Sequence, residues 1–329
     1  MTATKHVLIT GAGMVGAYTA RLLLDSGVAV TILDRSVPSA YLASVLGDRE
    51  YETVEVDLTD VSGVDAALER MPQIDGIVHT AALIAARAQR DLLETVDVNI
   101  TATLRLARWA SEHGVRRFVA ISSWSVFAEA QPSPIVRDSA IETQFTSYYV
   151  AAKLAMEHLL SALAHSSGLE VAAIRPTVIY GYGPNMGGGV GSAIIEAQVL
   201  NGIAGRPIVL PSNIISRTEL VYVEDVAAFT AAALDVPFEN APFEWFVVGS
   251  QQTTTLEELA HTLREQFPFV SVTIQDGAAS SVIPPRQDQP TDVTASIARL
   301  GVRPPLTRTE GFAEFVRVLR SVERGDVQP

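Results

Sequence analysis

The sequence predicts an α/β fold in which a doubly wound parallel sheet is covered by helices on both faces. Short β-branched runs alternate with longer helix-like segments in the first half of the chain, and nearly all of these runs are apolar on both faces. Such runs suit a central parallel sheet, and the segments between them are long enough for right-handed crossovers. The predicted strands are HVLIT (6–10), VAVTIL (28–33), YETVEV (51–56), GIVHTA (76–81), RFVAIS (117–122) and EVAAIR (170–175).

The predicted helices have recognisable ends. In GMVGAYTARLLLDSG, the small residues Gly16, Ala17 and Ala20 would let a helix approach the sheet closely. Gly27 then stands where a C-terminal cap is expected, and the segment LLETVDVNITATLRLARWASEHG ends in the same way at Gly114. Strands and helices that alternate with this punctuation are typical of a Rossmann-like sheet.

The pattern changes beyond about residue 180. GYGPNMGGGVG is rich in glycine, PSNIISRTELVYVEDV mixes loop and strand, and SVIPPRQDQPTDV is polar and rich in proline. These segments indicate surface loops around a smaller, less regular region. We therefore expect a Rossmann-like domain at 1–180 and a smaller C-terminal substrate-binding region at 181–329, with the chain crossing between the two.

The composition limits the classes of function. The 329 residues are 48% apolar, which is ample for a buried core. A net charge of −13 without a basic cluster disfavours nucleic acid as a partner, and the lack of cysteine excludes disulfide scaffolds and thiolate metal sites. Without a secretion signal or an apolar stretch of about 18 residues, we expect a soluble, cytoplasmic protein with no membrane partner. The histidines lack metal-ligand spacing, so we predict no metal site.

A glycine turn follows the first predicted strand. Gly11, Gly13 and Gly16 fit the G-x-G-x-x-G spacing with which a helix N-terminus binds a dinucleotide pyrophosphate, although so short a pattern also recurs by chance. Asp34 closes the second strand about 20 residues later, where a carboxylate binds the ribose hydroxyls of NAD. Arg35 could instead accept the 2′-phosphate of NADP, but the carboxylate repels that group and favours NAD. The alternative for Asp34 is a plain turn residue.

Tyr149 and Lys153 lie four residues apart in a strong helix pattern, so their side chains emerge on the same face. The chain has only one other lysine, Lys5. A tyrosine titrates near pH ~10, so accepting a proton from an alcohol at neutral pH requires a neighbouring positive charge. Lys153 can supply that charge and can also donate to a ribose hydroxyl. The alternative is an amphipathic helix with a packed tyrosine and a solvated lysine.

Three serines stand at the carboxyl end of the fifth predicted strand. Ligands of open parallel sheets bind at that edge, so Ser122, Ser123 or Ser125 could hydrogen-bond a reacting hydroxyl or carbonyl. The alternative is that these serines satisfy the backbone of a turn. No G-x-S-x-G pattern surrounds them, so the sequence does not support a nucleophile elbow.

With these motifs, the chain resembles the extended short-chain dehydrogenase/reductases, in particular the NAD-dependent epimerase/dehydratase family. The resemblance runs over nearly the whole length, and its motifs come in the family's order. Beside the serine, tyrosine and lysine, the matching segments are ITGAGMVG, VDLTD, VHTAA, the helix that contains Asn99, IRPTVIYGYGP, RTELVYVEDVA and DVTASIARLGVRP.

The resemblance implies hydride transfer between a secondary hydroxyl or ketone and a nicotinamide. In that reaction Tyr149 would be the general base, Lys153 would lower its pKa and grip the ribose, and Ser123 would orient the substrate oxygen. The resemblance also implies NAD, with NADP possible, and a homodimer built from the Asn99 and Tyr149 helices. The implied cofactor contacts are Gly11, Gly13, Met14, Val15, Gly16, Asp34, Arg35, Asp57, Leu58, Thr80, Ala81, Ala82, Asn99, Tyr149, Lys153 and Pro176.

The chain departs from the family's pattern at three places, and the last two limit which substrates and reactions are expected. The glycine loop is one residue shorter than the family's usual G-x-x-G-x-x-G. Val178 stands where nucleotide-sugar enzymes have an asparagine that contacts the substrate diphosphate, and valine has no donor to offer. The acid-base pair of the dehydratases would fall on Trp124 and Ser125, neither of which has a carboxyl group, so loss of water is not expected.

These features favour an NAD-dependent oxidoreductase for a small or moderately apolar substrate, with Val178, Trp124, Phe127 and the GSAIIEAQVL helix lining the pocket. A sugar-nucleotide epimerase that oxidises its substrate transiently is the alternative, and the intact serine, tyrosine and lysine disfavour a non-catalytic NAD sensor. The predicted substrate contacts are Ser123, Ser125 and Arg217. Arg217, expected on the loop before the substrate-side strand, would bind an anionic group or form a surface salt bridge.

Overall fold

The structure, a computed structural model, describes residues 5–127, 134–184, 190–215, 217–239, 241–276 and 287–324. Its strands are β1 (His6–Thr10), β2 (Ala29–Asp34), β3 (Glu52–Glu55), β4 (Gly76–His79), β5 (Arg117–Ile121), β6 (Glu170–Pro176), β7 (Val178–Tyr180), β8 (Ile208–Pro211), β9 (Arg217–Tyr222), β10 (Phe243–Val248), β11 (Thr253–Thr255) and β12 (Val272–Gln275).

The helices surround and connect these strands. They are α1 (Met14–Asp25), α2 (Ser39–Leu46), α3 (Val61–Leu68), α4 (Ala85–Arg90), α5 (Leu92–Val96), α6 (Thr103–Glu112), α7 (Tyr148–Ser167), α8 (Val190–Ile203), α9 (Val223–Ala233), α10 (Leu256–Gln266), α11 (Thr294–Leu300) and α12 (Arg308–Arg324). A π-helical turn, Asp97–Ala102, joins α5 to α6, and a 3-10 turn, Trp124–Val126, follows β5. None of the helices described is long and apolar enough to span a bilayer.

The central sheet has seven strands in the order β10-β6-β5-β4-β1-β2-β3, and each neighbouring pair is parallel. This confirms the doubly wound α/β fold, and the six strands predicted from the sequence all occur within two residues of their expected bounds. The strand order reverses between β1 and β4, where open α/β sheets bind ligands outside the carboxyl ends of the strands.

Two parts of the sheet differ from the sequence-based expectation. Strand β3 is largely exposed rather than apolar on both faces, because it lies at the edge of the sheet. Strand β10, which was not predicted, comes from the second half of the chain and pairs with β6 at the other edge. The chain therefore returns to the central sheet after residue 181. The division into a domain at 1–180 and a region at 181–329 remains a prediction.

Both faces of the sheet are covered. Successive residues of β1 belong to different apolar clusters, since Val7 and Ile9 pack with residues of α1, α2 and α9, and Leu8 packs with residues of α3, α6 and α7. This is the alternation of side chains expected along a strand buried on both faces. The two smaller sheets, β11-β9-β7 and β12-β8, lie outside the central sheet.

The expected helix ends are present, with one irregularity. Gly27 and Gly114 lie just beyond α1 and α6 with φ values of +76° and +71°, a conformation that glycine adopts without strain. The segment predicted as a helix before Gly114 is helical from Leu92 to Glu112, but the π-helical turn Asp97–Ala102 separates its two α-helical parts. Such turns occur frequently at functional sites.

The Arg117 side chain joins β5 of the central sheet to the end of α9, and its contribution to stability can be tested. Its buried guanidinium donates to the carbonyls of Ala233 and Val236 at 2.6 and 2.7 Å and to the Glu170 carboxylate at 2.7 Å. We expect Arg117→Ala to lower the free energy of unfolding by about 3 kcal/mol, because buried acceptors lose their donor. Urea denaturation measures this, with Arg116→Ala as the control. The Arg116 side chain is 48% exposed, so its loss should cost less than about 1 kcal/mol. Equal losses would contradict the interpretation.

Candidate active site

The glycine turn joins β1 to α1 and is too tight for larger residues at two positions. Gly11 has a φ of +98°, and a Cβ atom there would lie 2.4 Å from Thr80 Oγ1. A Cβ atom on Gly16 would lie 2.0 Å from the carbonyl oxygen of Gly11. A Cβ atom on Gly13, in contrast, would meet nothing within 4 Å. Gly11 and Gly16 are thus required by the turn itself, whereas Gly13 borders open space.

The start of α1 fits a dinucleotide pyrophosphate. The helix begins at Met14, and its N-cap residue, Gly13, has no side chain that could accept the first N–H groups of the helix. The backbone N–H groups of the first turn, which includes Met14, Val15 and Gly16, have no acceptors within the helix and lie at its positive end. Open space beside Gly13 lets an anionic ligand approach these donors.

The Asp34 side chain stabilises the shortened glycine loop by a hydrogen bond to its backbone. At the end of β2, its Oδ2 accepts the N–H of Ala12 at 2.7 Å, and Oδ1 accepts the N–H of Ser36 at 3.1 Å. Each carboxylate oxygen can accept a further hydrogen bond, so the side chain can also bind ribose hydroxyls. Arg35 beside it is exposed. The bond to Ala12 was not predicted, because the pairing of a loop N–H with a distant carboxylate leaves no sequence pattern.

The segments expected near the adenine and pyrophosphate also lie at this edge. The Asp57 carboxylate accepts from the N–H and hydroxyl of Thr59 at 2.9 and 2.7 Å, and the backbone donor in particular lowers the pKa of the carboxyl. Leu58 is half-buried and packs against the core. Ala81 and Ala82 are half-buried beyond β4, and the hydroxyl of Thr80 donates to the Thr10 carbonyl at 2.9 Å.

His79 forms part of a buried hydrogen-bonded chain that sequence analysis missed. Its Nδ1 lies 2.6 Å from Thr10 Oγ1, and its Nε2 lies 2.8 Å from Thr103 Oγ1. The Thr103 hydroxyl donates to the carbonyl of Asn99 at 3.1 Å, so Nε2 of a neutral His79 donates to Thr103, and Nδ1 accepts from Thr10. Burial, with the nearby charge of Lys153, lowers the pKa of His79 to about 3. The imidazole is therefore neutral at physiological pH.

Asn99 is buried in the π-helical turn and acts on the segment after β4. Its Oδ1 accepts the N–H of Leu83 at 2.7 Å, and its Nδ2 donates to the carbonyl of the same residue at 2.9 Å. Both ends of the amide are therefore engaged with the Leu83 backbone. Any effect of the Asn99 side chain on a cofactor would pass through the position of residues 81–83.

Ser123, Ser125, Tyr149 and Lys153 come together beyond the carboxyl end of β5. The Ser123 and Ser125 hydroxyl oxygens are 2.7 Å apart, and Ser123 Oγ also accepts the Ser125 N–H at 3.2 Å. Burial raises the pKa of Tyr149 to about 12, and a hydrogen bond with the Ser123 side chain opposes this increase. The serines thus satisfy a turn and also contact the tyrosine.

Lys153 is buried beneath this group. Its Nζ donates to the carbonyl of Ile121 at 2.6 Å and lies 5.8 Å from the centre of the Tyr149 ring. Burial lowers the pKa of Lys153 to about 8, whereas the charge of Glu157 raises it. The ammonium therefore lies near the tyrosine, and a backbone carbonyl at the end of β5 fixes its position.

The substrate-side residues show one clear difference from the expectation. Arg217 is the first residue of β9 and does not lie on the loop before it, because the pairing of β9 with β11 extends to this position. Its Nη1 donates to Thr253 Oγ1 at 3.4 Å.

The apolar residues expected near the substrate differ in their burial. Trp124 and Phe127 are buried in a small apolar cluster with Ile135, Val247 and Val293, whereas Val178 is half-buried. Pro176 ends β6 opposite Val248 of β10.

The two kinds of glycine in the turn predict different effects. Gly16→Ala should destabilise the protein by about 1–3 kcal/mol, because the new methyl group meets the Gly11 carbonyl. Gly13→Ala should change stability by less than about 0.5 kcal/mol but weaken NADH binding by about tenfold or more, because the methyl group occupies the pyrophosphate approach. Thermal unfolding and fluorescence titration with NADH measure the two effects. Unchanged NADH affinity in Gly13→Ala would contradict this assignment.

Comparisons with known proteins match this architecture. A UDP-glucose 4-epimerase of Mycolicibacterium smegmatis is 28% identical over 326 residues, which cover 96% of this chain and 99% of that protein. A 3 beta-hydroxysteroid dehydrogenase/Delta 5-->4-isomerase of Mycobacterium tuberculosis is 29% identical over 273 residues, covering 80% of this chain and 70% of that protein. The structure of a Bifidobacterium longum UDP-glucose 4-epimerase in complex with NAD+ and UDP shares the fold, with a TM-score of 0.81 and 17% identity over 98% of this chain and 100% of that chain.

The family comparison extends over most of the chain and confirms the resemblance that the motifs indicated. The matching model, described as the NAD dependent epimerase/dehydratase family, covers residues 7–249. This range includes the glycine turn, the serines beyond β5, the start of α7 and strand β9. The chain therefore belongs to the NAD-dependent epimerase/dehydratase family and is an NAD-dependent enzyme.

Proposed function

We propose that the protein transfers hydride between NAD and a secondary hydroxyl or ketone, with Tyr149 as the general base. The observation that carries this proposal is the juxtaposition of Tyr149, Ser123 and Lys153 at the sheet edge that also bears the glycine turn. A base, a hydroxyl to orient the reacting oxygen and a buried cation are the groups that this chemistry requires.

The proposed proton transfer involves the substrate oxygen, the Ser123 hydroxyl and Tyr149 Oη. The Ser123 hydroxyl donates to the substrate oxygen and orients it, and Tyr149 Oη takes the proton as the alcohol becomes a ketone. NAD supplies the hydride acceptor and, when oxidised, a positive charge on its nicotinamide ring. Because burial raises the pKa of Tyr149 to about 12, the phenolate requires positive charge from its surroundings. Lys153 contributes such a charge, since its ammonium lies 5.8 Å from the centre of the Tyr149 ring.

The same edge supports the proposed cofactor contacts. The first-turn N–H groups of α1 would bind the pyrophosphate, and the Asp34 carboxylate would bind the adenosine ribose and repel a 2′-phosphate. Lys153 would donate to the nicotinamide ribose with the ammonium protons that the Ile121 carbonyl does not use. The remaining contacts implied by the family resemblance also belong to this proposal: Arg35, Asp57, Leu58, Thr80, Ala81, Ala82, Tyr149 and Pro176. Asn99 would act on the cofactor only through the backbone of residues 81–83.

The proposed substrate is small or moderately apolar, with an anionic group near Arg217. Val178 offers no hydrogen-bond donor, and Trp124 and Ser125 replace the carboxyl groups that elimination of water would need. Arg217 uses one guanidinium nitrogen on Thr253 and is half-buried, so it could bind an anion with its other donors. Ser125 is half-exposed beside Ser123 and is the second proposed hydroxyl contact.

A sugar-nucleotide epimerase is the second candidate. It is supported by the M. smegmatis UDP-glucose 4-epimerase, which aligns with this chain almost end to end. Such an enzyme oxidises a sugar hydroxyl and returns the hydride to the opposite face, so Tyr149 would take a proton and give it back within one turnover. Arg217 would then bind the diphosphate.

We also propose a homodimer that buries the outer faces of α5 and α7. These helices contact each other, and both expose leucines: Leu93 on α5 is 73% exposed, and Leu159 on α7 is exposed as well. Isolated apolar residues are normal on a surface, but neighbouring helices that expose leucine are suited to packing in a helical bundle.

The first test concerns the base. Tyr149→Phe should reduce turnover at least about 100-fold, because it removes the proton acceptor. The assays are NAD reduction with a panel of secondary alcohols and interconversion of UDP-glucose and UDP-galactose. Tyr148→Phe, at the exposed neighbouring tyrosine, is the control. Activity only with the UDP-sugars would favour the epimerase, and full activity in Tyr149→Phe would overturn the base assignment.

The second test concerns the dimer. Two charges in Leu93→Glu/Leu159→Glu should convert a dimer to a monomer, because the proposed interface would bury them unpaired. Light scattering coupled to size-exclusion chromatography measures the mass. Phe269→Glu is the control, because Phe269 is fully exposed on the turn after α10. A wild-type monomer, or a double variant that remains dimeric, would exclude this interface.

A further inference from the structure

A buried carboxylate lies one helical turn beyond Lys153. Tyr149, Lys153 and Glu157 are spaced by four residues on α7, so they follow one another along the same face of the helix. The side chain of Glu157 is only 3% exposed. Acidic side chains are almost never this buried unless they are paired, so the position requires a specific partner.

That partner is Arg175 at the end of β6. Its Nε donates to Glu157 Oε1 at 3.0 Å, and its Nη2 donates to Oε2 at 2.5 Å. Bidentate pairing of this kind fixes the orientation as well as the charge of a carboxylate. The guanidinium also lies over two aromatic rings, 4.9 Å from the centre of Phe127 and 5.0 Å from that of Trp245. Glu157 is therefore a fixed negative charge.

The charge matters because Lys153 is buried. Removal from water favours the neutral amine, and a neutral amine would not stabilise a phenolate on Tyr149. Among the described residues that act on the charge of Lys153, Glu157 is the one that raises its pKa. His79 near Lys153 is neutral, Tyr149 has no charge while it holds its proton, and Arg175 is already engaged by Glu157. The ion pair thus opposes the effect of burial.

We propose that Glu157, held by Arg175, is a positioning residue that acts through Lys153 and keeps its ammonium protonated beside Tyr149. The consequence for catalysis rests on the proposed function, but the state of Lys153 does not. The proposal requires opposite effects of the two partners. Removing the negative charge of Glu157 should favour the neutral amine, whereas removing the positive charge of Arg175 should favour the ammonium, because it no longer offsets Glu157.

The chain is well suited to a direct test, because Lys5 and Lys153 are its only lysines. Protein labelled with 13C and 15N in lysine should give two side-chain NMR signals, and the exposed Lys5 serves as an internal reference. In the wild type the Lys153 signal should titrate with a midpoint near 8. Glu157→Gln should move this midpoint down by about one pH unit or more, and Arg175→Gln should move it up, with Lys5 unchanged.

The opposite signs separate this role from a structural one. Loosened packing in either variant would move Lys153 toward the ordinary value of an exposed lysine, so a shift in the same direction in both would overturn the proposal. So would a midpoint unchanged in Glu157→Gln. If that variant does not fold, Arg175→Gln still tests the proposal, because a Lys153 midpoint that stays unchanged or moves down there would overturn it.

Turnover gives a second readout. Activity that needs charged Lys153 is lost as the pH rises through the pKa of that lysine, so in Glu157→Gln the loss should begin at lower pH. The NMR titration needs no substrate, so it tests the role of Glu157 even if the proposed reaction is wrong. Its failure in an enzyme with the proposed activity would reject the role of Glu157 alone.

Discussion

The hydrogen bond from the Lys153 ammonium to the carbonyl of Ile121 joins helix α7 to the carboxyl end of β5, and the geometry of the candidate site depends on it. It brings the helix that bears Tyr149 against the strand that ends before Ser123. Because the carboxyl ends of parallel strands lie along one edge of the sheet, these residues lie at the edge that also bears the glycine turn after β1. A backbone acceptor is a rigid anchor for the charge, since its position follows from the sheet and not from a side-chain rotamer.

Several buried charges among the described residues are held in place by partners from other elements. Arg117 joins β5 to the end of α9, and Glu157 is paired with Arg175 between α7 and β6. Asp225 at the start of α9 is paired with Arg303 at 2.9 Å. Each pair would be costly to break, because an unpaired charge would remain in a region of low polarity. Near Lys153, the same arrangement can also serve chemistry, since a fixed charge alters the protonation of its neighbours.

The glycine turn illustrates how a shortened motif keeps its geometry. Gly11 and Gly16 close the turn by direct backbone approach, and Asp34 holds the intervening Ala12 from the neighbouring strand. A residue expected to recognise the cofactor therefore also shapes the loop that would bind it. The sequence predicts a further departure from the family's pattern on the substrate side, where Val178 and Trp124 stand in place of polar groups.

The sequence by itself determined the central sheet, because strands buried on both faces need continuous apolar runs that are visible without any structure. It also predicted the glycine turn and the shared helix of Tyr149 and Lys153, since their spacing within one local element carries the signal. Only the tertiary structure decided the contacts between distant segments: Asp34 with Ala12, His79 with Thr10 and Thr103, and Glu157 with Arg175. Strand β10 was missed for a related reason, because its place beside β6 is set by a chain that returns from the second half of the sequence. Local periodicity records which face of an element is buried, whereas the partner on that face is fixed only when the elements pack.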